Sequence, residues 1–595
     1  MNLKKIAEII TLILLVFATL TLSVLLYARF LYPDADYEQI TITVEHLTPK
    51  VIFAALSLKD YILALLFFIF IYPICYFLLN KKQQLIALLF MSSLSLYLTG
   101  YPTHFILSQT KTTLYEQHYI TPKTLQLTFP KQKKNLVLIY LESFEQNFTE
   151  EKYYQKNLIP NLQKLQQKGQ FVTNYSNLPG ATFSVAAIVA SQCGIPIRPR
   201  AQKNDLYTKS HFLPQAVCFP ELLRQNGYQT AIIKAADITY TDVDIFAKSH
   251  GYEKAIGFEE IVQTYPEDEL ESHLGTFDGI NDKSLFEYAK KQLAAFNPDK
   301  PFMLTLFSLD THGPNFFKDP SCPVVFNDER DAFLCTDKIV ADFISWFKTT
   351  PYYKNTTIVI LGDHLMPYAL NNKTPKKRGT YNAFLNLDNS LKLDTTKTYS
   401  TYDFAPTILE SLNIKLDNRA FGLGRSLFAK EPTLVEQLSF AYLKNALRQK
   451  SDTYERFQTP PQERSGAYLP YQPGTVLNAT EVLTYADVYK KVLTRNYLDT
   501  ITLTLPKHPQ NGLQLKIKFN AVLNHKHSVT VSANDVVIGR VKGTKYPKFP
   551  FELTADIPES ALKDNKLKLI FRNDSGTYYV THMGISLEEL VITEK

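Results

Sequence analysis

The chain has no basic helix and no basic patch interleaved with aromatics, and its net charge of +7 is small for 595 residues. Both facts argue against a nucleic-acid or polyanion partner, because phosphate backbones are met by clustered Lys and Arg. Cysteine is scarce as well: Cys75 lies in an apolar run, leaving Cys193, Cys218, Cys322 and Cys335 in the polar part of the chain. That even number fits two disulfides, Cys193 with Cys218 and Cys322 with Cys335, in an oxidising compartment, and fits buried free thiols equally well. No acid or base sits deep within the long apolar runs, so nothing in them marks a transport pathway. With 45% hydrophobic and 20% charged residues the composition is not that of a disordered chain, and the length calls for more than one domain.

What is present begins with three apolar runs, Ile6 to Tyr32, Tyr61 to Leu79 and Leu85 to Tyr101, each long enough to span a bilayer. The first is too long for a signal-peptide core and lacks a small-residue cleavage site. Lys4 and Lys5 hold its start on the cytoplasmic side, and Lys81 with Lys82, in a short polar loop from Asn80 to Gln84, hold the second turn there. Three crossings then deliver everything after Tyr101 to the outside. The expected organisation is a transmembrane anchor over 1–102, a linker over 103–134 with some helical turns, a catalytic domain over 135–430, a connector over 431–475 and a C-terminal domain over 476–595.

From Asn135 short apolar runs alternate with amphipathic ones. Strands are predicted at Leu136–Leu141, Gln229–Lys234, Pro301–Ser308 and Thr356–Leu361, and helices at Ile159–Lys168, Pro220–Gln225 and Asp403–Leu412. Apolar strands without in-and-out alternation, separated by helices, indicate an α/β fold with a mainly parallel sheet covered on both faces. Ligands of such sheets bind at the carboxyl ends of the strands. There the sequence places Glu142, then Asp310-Thr311-His312, then Gly362-Asp363-His364. Carboxylates with imidazole form a mixed oxygen and nitrogen shell suited to Mn²⁺, Zn²⁺ or Mg²⁺. A hydroxyl to accompany them stands in LPGATFSVAAIVASQCGIP, Leu178 to Pro196, where Thr182 and Ser184 precede a helical run whose N-terminus favours an anion.

The tail reads differently. Thr433 to Lys450 is a predicted helix, and the stretch beginning DTYERFQTPP is loop-like. Alternating segments at Leu513–Phe519, Ser528–Ser532, Lys566–Phe571 and Ile585–Ile592 then indicate a small β-sandwich.

Five motifs occur in order: NLVLIYLESFE, VASQCGIPI, KSHGY, LDTHGP and GDHL. Through them, Asn135 to about Leu427 resembles the membrane phosphoglycerol transferases of the alkaline phosphatase/sulfatase superfamily. These include the lipoteichoic acid synthases, and the branch that modifies periplasmic glucans looks closest. The resemblance implies an inner-membrane, multi-pass enzyme with a periplasmic catalytic domain. It implies transfer of phosphoglycerol from phosphatidylglycerol to a cell-envelope glycan through a phosphorylated Ser or Thr. It further implies one divalent cation, Mn²⁺ before Mg²⁺ or Zn²⁺, on Glu142, Ser184, Asp363 and His364, with His312 as acid and base. Spacing to Gly194 favours Ser184 as nucleophile, whereas the family's usual residue type favours Thr182. Where lipoteichoic acid synthases carry an Arg before the aspartate matching Asp244, this chain has Val243; Lys248 and His250 stand nearby as candidate substrate-binding residues, beside His312. A formylglycine sulfatase is disfavoured because Ala186 and Ile188 replace the required Pro and Arg, and Val189-Ala190 does not resemble the Pro-Cys pair of phosphoethanolamine transferases. The competing readings are a phosphoethanolamine transferase, a phosphodiesterase, and a non-catalytic anchored sensor or glycan-binding protein.

Overall fold

The computed structural model describes residues 3–31, 81–122, 125–198, 211–367 and 375–458, a few isolated residues between these, and strands lying between 476 and 594. The expected second span, apart from residues 69 and 72, and the loop 33–59 lie outside the described residues, as does 459–475. The chain divides into two compact units, Met1–Ile256 with Glu271–Pro460, and Gly257–Leu270 with Pro461–Lys595.

In the first unit, helices α1 (Leu3–Leu31) and α2 (Lys81–Leu98) pack along Leu15, Leu22 and Met91. The predicted run Leu85 to Tyr101 is not one helix. Gly100 adopts φ 78° and Pro102 opens α3 (Tyr101–Gln109), so the chain bends by 63° between α2 and α3. Lys81 to Gln84, expected as a loop, form the first turn of α2, in keeping with the good helix propensity of Lys and Gln. Among the described residues no single helix is long and apolar enough to cross a membrane; the bent pair Lys82–Leu98 with Tyr101–Gln109 meets that test together. The expected linker is also partly packed: Leu114 and Tyr115 are buried, and Thr112 N–H donates to the Lys450 carbonyl at 2.9 Å.

The sheet that positions the site has six strands: β1 (Asn135–Leu141), β2 (Gln229–Lys234), β3 (Lys254–Ile256), β4 (Phe302–Phe307), β5 (Thr356–Gly362) and β6 (Asn382–Leu385). Their order is β6-β5-β1-β4-β2-β3, all parallel except β6 on β5. Every residue of β1, β4 and β5 is buried, which is why these strands read as unbroken apolar runs. Central β1 is flanked by β4 and β5, with Tyr140 paired to Phe307 and Leu141 to Gly362. Three strand ends therefore meet side by side. The helices Pro160–Lys168, Phe219–Gln225 and Phe404–Ser411 fall within a residue of their expected places.

The predicted helix Thr433 to Lys450 is two, Leu434–Leu438 and Phe440–Ala446, broken where Ser439 takes φ 66°. Asp452–Phe457, expected as loop, is a helix, its first turn capped by Ser451 Oγ accepting from Tyr454 N–H at 3.2 Å. In the second unit the described strands form two antiparallel sheets, of four and five strands. The four alternating segments, from Ser586 onward in the last, lie in them, joined by strands such as Leu498–Thr504 and Phe551–Ile557.

Candidate active site

Glu142 leaves β1 fully buried, and its backbone N–H donates to Ser308 Oγ beyond β4 at 3.0 Å. The next residue, Ser143, turns at φ 57°, which directs its N–H onto Asp363 Oδ1 at 2.7 Å and its hydroxyl onto Glu142 Oε1 at 2.8 Å. Asp363 Oδ1 also accepts from His364 N–H at 2.8 Å. One oxygen of Asp363 is thus filled by two backbone donors, while Oδ2 is buried and makes no hydrogen bond. His364 Nδ1 lies 2.9 Å from the Leu365 carbonyl, which only accepts; the proton therefore sits on Nδ1, and Nε2 turns to the carboxylates, 3.4 Å from both Glu142 Oε1 and Asp363 Oδ2.

The helix Ser184–Cys193 points its first residue at this cluster, and Ser184 Oγ donates to Glu142 Oε2 at 3.2 Å. Thr182 lies two residues upstream, partly buried, ahead of the extended Phe183 that precedes the helix. The far end of the helix is fixed by the Cys193–Cys218 disulfide and by Gly194 at φ 65°, where an added Cβ would lie 2.5 Å from the Phe421 carbonyl. Gly194→Ala is expected to destabilise the domain by at least about 2 kcal/mol, combining left-handed strain with overlap, and denaturant titration would read it as a lower midpoint at unchanged slope. Cys322 is bonded to Cys335.

His312 follows β4 and is half-buried, its Nδ1 2.9 Å from the Gly313 carbonyl, so Nε2 is the nitrogen left for acid and base work. Lys248 and His250 are not part of this constellation. Lys248 is an exposed ion pair with Asp244 at 3.4 Å, one helical turn away. Both ring nitrogens of buried His250 are engaged, Nε2 with the Phe212 carbonyl at 2.7 Å and Nδ1 with Glu221 at 3.3 Å. The His250 of KSHGY is thus held within the packing of the domain.

Glu142, Asp363 and His364 offer ligand atoms within 4.8 Å of one another, all buried. Burial, together with the Glu142 charge, pushes Asp363 up to about 7. Burial acts the same way on Glu142, but His312, His364 and the Ser143 and Ser184 hydroxyls outweigh it and hold its carboxyl below the usual range. Burial alone would lower His364, yet the Asp363 and Glu142 carboxylates raise it. Two crowded carboxylates, one of them with a buried oxygen that makes no hydrogen bond, and an oriented imidazole form a donor set that fits a divalent cation.

Further residues support the site, Thr311 from within LDTHGP and others with no motif to reveal them. Thr311 Oγ1 donates to the Glu142 carbonyl at 2.6 Å, and Asp282 Oδ1 accepts from Leu309 N–H at 2.8 Å, steadying the chain that carries His312. Phe277, exposed and at φ 53°, packs its ring edge-on to His312 with centroids 4.7 Å apart. A bulky residue held in the left-handed region at an active site is stored strain. Phe277→Gly is expected to lower turnover by about tenfold while stability stays within about 1 kcal/mol, because relief of strain offsets the lost ring contact.

A mainly parallel sheet with acidic and imidazole groups gathered at its strand ends is the alkaline phosphatase/sulfatase type of α/β fold. Residues 134–414, just under half of the chain, match the Sulfatase family. The chain is similar to Phosphoglycerol transferase I of Salmonella paratyphi B, 32% identical over 314 residues that cover 50% of this chain and 39% of the relative. The match thus spans less than half the length of that relative. Among solved structures it is similar to a lipoteichoic acid synthase of Listeria monocytogenes, with 19% identity, TM-score 0.38 and coverage of 51% of this chain and 79% of that one. It is also similar to a Streptococcus pyogenes phosphoglycerol transferase in complex with sn-glycerol-1-phosphate, with 11% identity, TM-score 0.36 and coverage of 60% and 90%.

Proposed function

We propose that the protein is a membrane-anchored phosphotransferase that moves phosphoglycerol from phosphatidylglycerol to a cell-envelope glycan. The observation that carries this reading is Ser184 Oγ on Glu142, beside Asp363 and His364. The similarity to a phosphoglycerol transferase supports the transferred group. The anchor is supported by α1 and α2, which bury Leu15 and Met91 between them and expose Phe17, Leu89 and Phe90, an apolar outer surface suited to lipid. The catalytic domain then works outside the inner membrane, where the two disulfides are stable.

A divalent cation, Mn²⁺ in preference to Mg²⁺ or Zn²⁺, held by Glu142, Asp363, His364 and Ser184 Oγ would supply Lewis-acid activation and charge neutralisation. Ser184 Oγ, its proton passed along its hydrogen bond to Glu142 Oε2, attacks the lipid phosphorus and displaces the diacylglycerol oxygen, and glycerophosphoryl-Ser184 forms. The proton returns to Oγ when the phosphoserine is broken. His312, with Nδ1–H committed to Gly313, delivers a proton from Nε2 to the departing oxygen. The same Nε2 next takes the proton of a glycan hydroxyl as that oxygen attacks the phosphoserine and regenerates Ser184.

Purified full-length protein incubated with labelled phosphatidylglycerol and phosphatidylethanolamine tests this. Diacylglycerol is expected from phosphatidylglycerol, and release from phosphatidylethanolamine alone would replace this reading with a phosphoethanolamine transferase. Release from neither, in a protein that binds no metal, would favour a non-catalytic sensor.

A further inference from the structure

Two polar side chains interrupt the apolar helix that begins at Ser184. Ser191 and Gln192 follow the run Val185 to Ala190, and both are fully buried. A buried amide needs partners at both of its ends. Gln192 Nε2 donates to Tyr140 Oη at 3.2 Å, and Gln192 Oε1 accepts from Tyr252 Oη at 3.1 Å. Tyr140 belongs to β1, and Tyr252 is the tyrosine of KSHGY, just ahead of β3.

The direction of every bond in this group is fixed. Ser191 Oγ donates to the Ala187 carbonyl at 2.6 Å, so Tyr140 Oη, 2.6 Å from Ser191 Oγ, is the donor between the two hydroxyls. Likewise the Tyr252 proton is committed to Gln192 Oε1, so Thr305 Oγ1 of β4, 2.9 Å away, donates to Tyr252 Oη. Burial pushes both phenols up, and each keeps its proton. One continuous series of hydrogen bonds therefore runs from Thr305 through Tyr252, Gln192, Tyr140 and Ser191 to the helix backbone.

Ser184 and Ser191 stand seven residues apart, about two turns, and so lie on one face of the helix. Tyr140 and Glu142 are two residues apart, the spacing that sets side chains on one side of a strand. The helix is thus fastened to this segment twice, by Ser191 and Gln192 on Tyr140 and by Ser184 on Glu142. The first attachment is a buried amide bonded at both ends, and the second is a single hydroxyl. Rotation of the helix is set by the first, and Ser184 follows it. From this we infer that Gln192, held by Tyr252, is a positioning residue that keeps Ser184 Oγ on Glu142. Its bearing on turnover rests on the phosphoglycerol transfer proposed above, whereas the placement of Ser184 does not.

The test uses full-length protein in detergent carrying Gln192→Met, which keeps the side-chain length and removes the amide, or Tyr252→Phe, which removes one hydroxyl and is the milder change. Turnover of phosphatidylglycerol is measured per molecule able to take the glycerophosphoryl group on Ser184 when no acceptor is present. It is expected to fall by about tenfold or more in each variant, with KM within about twofold and Mn²⁺ content unchanged, because a displacement of about 1 Å at a reacting atom costs about a hundredfold. The double variant should be no slower than Gln192→Met, since both changes break the same series. A merely structural role would reduce the number of competent molecules and leave the turnover of each at the wild-type value, and that result would overturn the assignment. Crystal structures give the second readout: Ser184 Oγ should leave hydrogen-bond distance of Glu142 Oε2 in both variants, and an unmoved hydroxyl in both would also overturn it. Displacement of Ser184 in a protein that cleaves no phospholipid would sink the transferase reading and leave the positioning role standing. Phospholipid cleavage at the wild-type rate by both variants would do the reverse.

Discussion

Ser184→Ala is expected to abolish diacylglycerol release from phosphatidylglycerol, with a fall of about four orders of magnitude or more, because removal of a nucleophile leaves only binding and electrostatic catalysis. The geometry gives the reason. Ser184 is the first residue of its helix and its Oγ meets Glu142 Oε2 at 3.2 Å, so the hydroxyl stands at the positive helix end and at the cluster together. Ser184→Thr should retain part of the activity, since it keeps a hydroxyl at that position. Thr182→Ala should lower turnover by no more than about tenfold, the scale of a supporting contact. Mass spectrometry of protein held with donor and no acceptor should find the glycerophosphoryl group on Ser184. An adduct on Thr182, or a fully active Ser184→Ala protein, would remove Ser184 from the chemistry.

Asp363→Asn should be the second large effect, and it separates the ligand from the scaffold. An asparagine Oδ1 keeps the N–H groups of Ser143 and His364, at 2.7 and 2.8 Å in the parent, while the orphan Oδ2 becomes a neutral amide nitrogen. Metal content is expected to drop, and turnover to fall by about a thousandfold or more, since Lewis-acid stabilisation is worth several kcal/mol. Stability should move the other way in the ion-free protein. Asp363 is raised from 3.8 to about 7 in the fold, so its contribution is complete below pH 3.8 and is lost as pH rises through about 7. Above that pH the Asn variant should melt higher than ion-free wild type, and its stability should depend less on pH. Mn²⁺ at a hundredfold excess over its Kd should stabilise wild type by about 2.7 kcal/mol and the variant hardly at all. Equal metal content and equal turnover in the two proteins would remove Asp363 from the metal site.

Glu142, Asp363, His364 and His312 were legible because each follows a wholly apolar run, and a strand buried on both faces betrays itself in composition alone. Signals of that kind fail where a conformation depends on one backbone angle. Gly100 and Ser439, both at positive φ, divide helices that periodicity joins. Hydrophobic pattern also treats His250 and His312 alike, although one is bonded to Phe212 and Glu221 inside the domain and the other flanks the site. Phe277 carries no motif, because its contact with His312 is made between separate segments of the chain.

The sequence by itself determined the parallel α/β core, the acids and imidazoles at its strand ends and two candidate hydroxyls, since burial and chain direction are written locally in residue type. The tertiary structure decided that β4 and β5 flank β1, and so that Glu142, Asp363 and His364 converge. It also decided that the helix begins at Ser184 and sets that hydroxyl on Glu142. Strand order and helix register arise from packing between segments that are distant in sequence, and no local pattern encodes them.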